Sequence, residues 1–174
     1  IFYQVGSRVI FVANDNVHGF QLWASDGTES GTVMLTNTAQ TDDNYFDSFM
    51  TLGTKVIFRA RQSSERNLWI TDGTVAGTFE LININSGDDS WSGMTTYGNR
   101  FVARANTGSV GDELLYSDGT LAGTQILDIN VGSSSSYPHY FKFFGDKLLF
   151  LAQKISGQWD WHYTDGTLAG TARL

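Results

Sequence analysis

The chain has no cysteine among its 174 residues, so disulfides and thiolate metal centres are excluded. Proline occurs once, at Pro138. Long Ala/Glu/Lys/Leu-rich stretches are missing, and no segment of about eleven residues or more keeps the 3.6-residue apolar period of a helix. No apolar run approaches the roughly 20 residues that a helix needs to cross a bilayer. The amino terminus, Ile1-Phe2-Tyr3-Gln4, has neither an initiator methionine nor the charged-then-apolar layout of a signal peptide. It reads as a processed or excerpted piece of something longer. No group of Lys or Arg stands out along the chain. With a formal net charge of -7 the surface repels phosphate backbones, which argues against a nucleic-acid partner.

What is present is turn-forming and strand-forming. Nineteen glycines supply many tight turns, and aromatic residues make up 14%. Val, Ile, Thr, Phe and Tyr are plentiful and favour strands. Above all, the chain repeats itself. Ser25-Asp26-Gly27-Thr28, Thr71-Asp72-Gly73-Thr74, Ser117-Asp118-Gly119-Thr120 and Thr164-Asp165-Gly166-Thr167 place their aspartates 46, 46 and 47 residues apart. A second Gly-Thr follows at one offset: Gly31-Thr32, Gly77-Thr78, Gly123-Thr124 and Gly170-Thr171. A hairpin glycine keeps the same register at Gly6, Gly53, Gly98 and Gly145, with an alanine seven residues on (Ala13, Ala60, Ala105, Ala152).

Each unit reads as four short strands with turn signals between them. The second strand, as in Val9-Ile10-Phe11-Val12-Ala13 or Leu148-Leu149-Phe150-Leu151-Ala152, is apolar without alternation, so both of its faces must be covered. Four strands in about 46 residues, stacked face to face, make the blade of a β-propeller. The expected fold is therefore all-β: one repeat domain over 1–174, with approximate blades 1–38, 39–85, 86–130 and 131–174. A solenoid or a sandwich of repeat pairs is the alternative. No strand sharing between the termini is evident, so a larger ring completed by more chain or another copy is expected. A closed four-bladed ring is the other option.

The Asp-Gly-Thr turn has a physical reason. Asp26, Asp72, Asp118 and Asp165 are suited to accept hydrogen bonds from N–H groups two residues on, and glycine supplies the positive-φ position. These aspartates are assigned a structural role. Leu22-Trp23-Ala24-Ser25-Asp26-Gly27-Thr28 and Leu68-Trp69-Ile70-Thr71-Asp72-Gly73-Thr74 resemble the Glu-Leu-Trp-x-x-Asp-Gly-Thr repeat family of large bacterial secreted or surface proteins. The resemblance spans essentially the whole chain. It implies an extracellular or cell-surface location and a propeller-like array, and no established reaction. The sequence departs from the pattern in places. The leading Glu survives only as Glu113, with Gln21, Asn67 and Asp160 elsewhere, and the tryptophan becomes Leu115 and His162 in the last two copies.

Few residues of the chain carry a chemical motif. His18, His139 and His162 sit at unlike repeat positions without ligand spacing. No nucleophile elbow or phosphate-cradling loop occurs. Acidic pairs at Asp42-Asp43, Asp88-Asp89 and Asp112-Glu113 could supply oxygens to Ca²⁺, but solvated loops are the favoured reading, so no cofactor or metal is expected. Aromatic residues beside polar ones, Tyr45, Phe46, Trp91, Tyr137 and Tyr140, fall in the segments linking one blade to the next. They are the candidate ligand contacts, because a ring covers the apolar face of a sugar while polar neighbours take its hydroxyls. The expected function is a non-catalytic binding or scaffold module that recognises a glycan or a surface protein in adhesion. A purely structural assembly module is the alternative, followed by a glycoside hydrolase.

Overall fold

The computed structural model describes residues 2–38, 45–62, 65–84, 92–155 and 157–174. Among them every regular element is a β-strand, and no helix is long and apolar enough to cross a membrane. The sixteen strands form four four-stranded antiparallel sheets, each a simple meander. The first holds β1 (Phe2–Val5), β2 (Arg8–Asn14), β3 (Phe20–Ser25) and β4 (Val33–Met34). The second holds β5 (Tyr45–Leu52), β6 (Lys55–Gln62), β7 (Glu65–Thr71) and β8 (Phe79–Ile84). The third holds β9 (Ser92–Tyr97), β10 (Arg100–Ala105), β11 (Glu113–Ser117) and β12 (Gln125–Leu127). The fourth holds β13 (His139–Phe144), β14 (Lys147–Ile155), β15 (Gln158–Thr164) and β16 (Ala172–Arg173). These are blades of β-propeller type.

The chain divides into two compact units, Ile1–Asn83 and Ile84–Leu174. Inside the first, Ile10, Leu22 and Ala24 of one blade share a core with Phe46, Phe49, Val56 and Phe58 of the next. Tyr3 stacks on Phe49 with ring centroids 5.0 Å apart. Inside the second, Val102, Leu114 and Leu127 meet Leu148, Phe150 and Ala152. The run of apolar residues on β6 is thereby explained. Val56, Ile57 and Phe58 are all buried because both faces of that strand are covered. Each such side chain contributes about 1.5–3 kcal/mol over its exposed state.

The four Asp-Gly-Thr turns are built alike. The aspartate Oδ1 accepts from the threonine N–H two residues on at 2.9–3.0 Å and from that threonine's hydroxyl at 2.6–2.7 Å. The same hydroxyl accepts from the second glycine's N–H at 2.9–3.0 Å. The Ser or Thr before the aspartate accepts from the first glycine's N–H and bonds the closing threonine's hydroxyl, as with Thr71, Gly73 and Thr78. The first glycine has φ between 82° and 100°, a region that disfavours other residues. The second glycine is needed for a different reason: a Cβ on Gly31, Gly77, Gly123 or Gly170 would collide with the aspartate carboxylate of its own turn.

The turn also meets the preceding blade within each unit. Arg8 donates to the Gly73 carbonyl at 3.0 Å, and Gln125 donates to the Gly166 carbonyl at 2.6 Å. In the second, third and fourth blades the first strand carries a bulge: Ser48, Gly93 and Tyr140, at one repeat position, have φ of 56°, 69° and 57°. The pairing register breaks beside each of them.

Candidate functional site

The strand registers define two ends for each blade. In the second blade Val56 faces Thr71 at the turn end, and Arg61 faces Arg66 at the other. Five residues of strand separate them, about 17 Å. In the fourth, Leu148 faces Thr164 at the turn end and Gln153 faces Trp159 at the other. We refer to the second end as the linking end.

The candidate ligand contacts are only partly in loops. Tyr45 and Phe46 open β5 and Tyr140 lies in β13, whereas the sequence pattern had put all three in linking segments. Tyr137 does precede its strand. Trp91 lies outside the described residues, as do the pairs Asp42-Asp43 and Asp88-Asp89. Phe46 is buried in the core shared by the first two blades and is removed from any ligand surface. Tyr45, Tyr137 and Tyr140 are exposed, Tyr140 by 71%.

In the second unit, Tyr140 belongs to an aromatic shelf at the linking end of the fourth blade, and Tyr137 adjoins it through its backbone. His139 is its centre. Its ring lies 4.6 Å from Tyr140 and 4.6 Å from Trp159, the latter edge-on. The His139 Nδ1 is hydrogen-bonded to the Tyr137 carbonyl at 2.9 Å, and the Arg104 guanidinium lies 6.0 Å from the Tyr137 ring. Trp159 is 44% exposed and completes a row of rings open to solvent. Sequence reasoning missed Trp159. Its alternation with Trp161 on β15 was the available signal.

In the first unit, Tyr45, Asp47, Arg59, Arg61 and Arg66 line a cavity of about 190 Å³ at the linking end of the second blade. Arg59 grips Asp47 through two hydrogen bonds, 2.6 and 2.7 Å. The sequence showed no basic cluster. The fold makes one, because Arg59 and Arg61 share a face of β6 and the hairpin brings Arg66 directly opposite Arg61.

Polar residues at this end, buried in the first three blades and half-buried in the fourth, tie each blade to its outgoing chain, each in its own way. They occupy the position of the leading Glu in the repeat. Gln21 accepts from the Thr36 and Thr38 hydroxyls and the Thr38 N–H and donates to the Thr38 carbonyl. Asn67 donates to Glu80. Glu113, fully buried, accepts from the Ile129 N–H, the Ser136 N–H and the Ser136 hydroxyl at 2.6–2.8 Å. Burial pushes its carboxyl up, against the pull of the Ser136 hydroxyl and these N–H groups. Asp160 pairs with Arg173 at 3.2 Å. Asp112, the partner of Glu113 in its acidic pair, lies beside Arg104 and accepts from Asn106. Among the described residues no cluster of three or more His, Asp or Glu is placed to hold a metal ion. A second cavity, about 290 Å³, is lined in part by Asp128, Lys154, His162 and Arg173. There His162 is buried against Phe150, with ring centroids 5.6 Å apart, a packing replacement for tryptophan.

No protein-family model and no curated protein matches the sequence. Solved structures do match by fold. A puromycin hydrolase mutant complexed with PGG aligns with a TM-score of 0.51 at 11% identity, over 95% of this chain and 26% of that one. An acylaminoacyl peptidase from Pyrococcus horikoshii aligns with a TM-score of 0.45 at 11% identity, over 97% of this chain and 37% of that one. An exo-β-1,3-galactanase from Phanerochaete chrysosporium, solved with galactose, aligns with a TM-score of 0.36 at 10% identity, over 99% of this chain and 48% of that one. The chain thus spans about a quarter of the puromycin hydrolase it matches. The likeness to that structure is one of fold, to a protein of β-propeller type.

Proposed function

We propose that this chain is a non-catalytic, extracellular β-propeller-type module that recognises carbohydrate in adhesion, through the aromatic shelf of Tyr140 and Trp159 and the adjoining Tyr137. One observation carries the reading: the exposed rings of Tyr140 and Trp159 flank His139, and the exposed Tyr137 is tied to it through its backbone carbonyl, at the end of the blade where the repeat copies differ. Buried rings would serve packing alone, whereas exposed ones offer a flat apolar face to a sugar ring. The resemblance to the Glu-Leu-Trp-x-x-Asp-Gly-Thr repeats of secreted and surface proteins supports the location. A puromycin hydrolase shares the fold, but 11% identity brings no catalytic residue from it to this chain.

A glycan array probed with the intact chain tests this. The expected result is binding to a defined set of neutral or charged glycans that Trp159→Ala and Tyr140→Ala each weaken at least tenfold, with unchanged thermal unfolding. Binding that survives both substitutions contradicts the proposal. Loss of stability together with binding favours the assembly module. Turnover of peptide or glycan substrates by the unaltered chain contradicts the non-catalytic reading.

A further inference from the structure

We propose that the cavity of about 290 Å³ in the second unit is a second site, specific for a free α-amino acid with an apolar side chain. It shares no residue with the aromatic shelf and stands independently of the glycan reading.

The cavity opens where the fourth blade departs from the repeat. It lies between the chain leaving β12, at Asp128, Ile129 and Val131, and the strands β14, β15 and β16. In the first blade Trp23 faces Met34 across the last two strands, and its indole N–H reaches the Ala13 carbonyl at 3.3 Å. In the fourth blade the same pair is His162 facing Arg173. His162 keeps the ring stacking on Phe150, but an imidazole fills less space than an indole, and the cavity borders it. A carbonyl oxygen only accepts, so His162 Nδ1 donates to the Asp160 carbonyl at 2.9 Å. The neutral ring then keeps Nε2 as an acceptor.

The charges of the lining are not matched within the chain. Asp128 accepts from the Gly132 N–H with Oδ2 at 3.2 Å, while its Oδ1 is shut off from solvent and has no hydrogen-bond partner. A buried carboxylate oxygen without a donor is destabilising, and a cationic donor relieves it best. Arg173 is engaged on Asp160 at 3.2 Å. Lys154 is exposed and forms no ion pair among the described residues. Asp128 and Lys154 thus border one cavity without pairing with each other.

Opposite charges held apart across a cavity call for a ligand that carries both. An α-amino acid does. Its ammonium brings three N–H donors to the acceptors Asp128 Oδ1 and His162 Nε2, and its carboxylate meets Lys154. A neutral sugar brings hydroxyls alone and leaves both charges uncompensated. The volume is just below the roughly 300–1,000 Å³ that encloses a drug-sized ligand, so the cavity takes one amino acid and not a peptide. Ile129, Val131 and Leu168 supply apolar surface for its side chain.

The test is a titration of the ¹⁵N-labelled chain with L-leucine, followed by amide chemical shifts. N-acetyl-L-leucine, which lacks the ammonium, L-leucinamide, which lacks the carboxylate, and glucose are titrated beside it. The expected result is saturable shifts around Asp128, Leu168 and Arg173 with leucine, binding at least tenfold weaker for the two truncated compounds, and none for glucose. Lys154→Gln should weaken leucine at least tenfold and leave leucinamide unchanged. Asp128→Asn should weaken leucine at least tenfold and leave N-acetyl-L-leucine unchanged. His162→Trp, which restores the residue of the first two blades, should abolish binding while the unfolding temperature stays at or above the parent's. No saturation by leucine up to about 50 mM, glucose or either truncated compound binding as well as leucine, or undiminished leucine affinity in both charge variants would overturn the proposal. Parent-like leucine binding by a folded His162→Trp chain would overturn it too. If that variant does not fold, the two charge variants decide alone, with unfolding temperatures no lower than the parent's.

Discussion

The two ends of a blade are built on opposite plans. At the turn end all four copies use one network, from Ser25-Asp26-Gly27-Thr28 to Thr164-Asp165-Gly166-Thr167, with matching distances to a tenth of an ångström. At the linking end each copy finds its own solution. An amide meets two threonines at Gln21, a carboxylate is buried at Glu113, and an ion pair forms at Asp160. The surface there differs as well, with three arginines in one blade and aromatic rings in another. The turn end repeats because it closes the blade and, within each unit, receives a hydrogen bond from the blade before it. The linking end is free to change, and its exposed residues are where recognition of carbohydrate is proposed.

The largest effect is expected where the linking end is buried. Glu113→Ala leaves the Ile129 N–H without its acceptor and removes the short bond from the Ser136 hydroxyl, while the Ser136 N–H keeps the Asp112 carbonyl; it should cost about 3 kcal/mol, read from urea unfolding. An unchanged midpoint would mean that this individual solution is dispensable. At the turn end, Gly77→Ala drives a methyl into the Asp72 carboxylate and should cost about 2 kcal/mol. The same substitution at Gly123 should behave alike if the turns are truly equivalent, and a twofold difference between them would break the comparison.

Tyr140→Gly sharpens it from the other side. Tyr140 holds φ of 57° at the bulge where the third blade has Gly93, and its side chain is largely exposed. The glycine variant should be more stable by about 1 kcal/mol, in a thermal scan, while losing glycan affinity. A loss of stability would show that the ring serves packing.

The smallest effect is on pH dependence. The carboxyls of Asp26, Asp72 and Asp165 are held below their ordinary 3.8, first by the hydroxyls of Thr28, Thr74 and Thr167. Their contribution is present above that value and lost as pH falls through the lower folded values. Glu113 runs the other way: burial raises it above its ordinary 4.5, so its contribution is full below that value and lost as pH rises through the folded value. Unfolding midpoints of the parent and Glu113→Gln between about pH 3 and 7 should therefore diverge in slope on the higher-pH side. Parallel curves would contradict the burial effect.

The turn end was readable in the sequence because its chemistry is local. Aspartate, glycine and threonine sit within a few residues of one another, and the repeat prints the motif four times. The covered second strand was readable from its unbroken apolar run in β6 and β10, whereas in β2 Val9 is exposed and in β14 Leu149 and Leu151 are half-buried, so there one face is less covered than the run implied. The start of β5 was not. The bulge at Ser48 adds a residue, so Phe46 and Phe49 are both buried at an odd spacing and the period-two signal is hidden. That is why Tyr45 and Phe46 read as loop. The arginine cavity was half legible, as Arg59 and Arg61 alternate onto one face, but Arg66 joins them only through the hairpin register. Which rings face solvent depends on how neighbouring blades pack, so neither the burial of Phe46 nor the exposure of Trp159 could be read from residue types.

The most direct test of the division between the two ends is equilibrium urea unfolding of Thr71→Val beside Arg66→Gln. Thr71 is buried, accepts from the Gly73 N–H and bonds Thr78, so the isosteric valine should lower stability by about 2 kcal/mol. Arg66→Gln at the linking end should stay within about 0.5 kcal/mol of the parent. Equal destabilisation by both, or a larger loss with Arg66→Gln, would contradict the assignment of recognition, and not folding, to the side chains that the linking end leaves unburied.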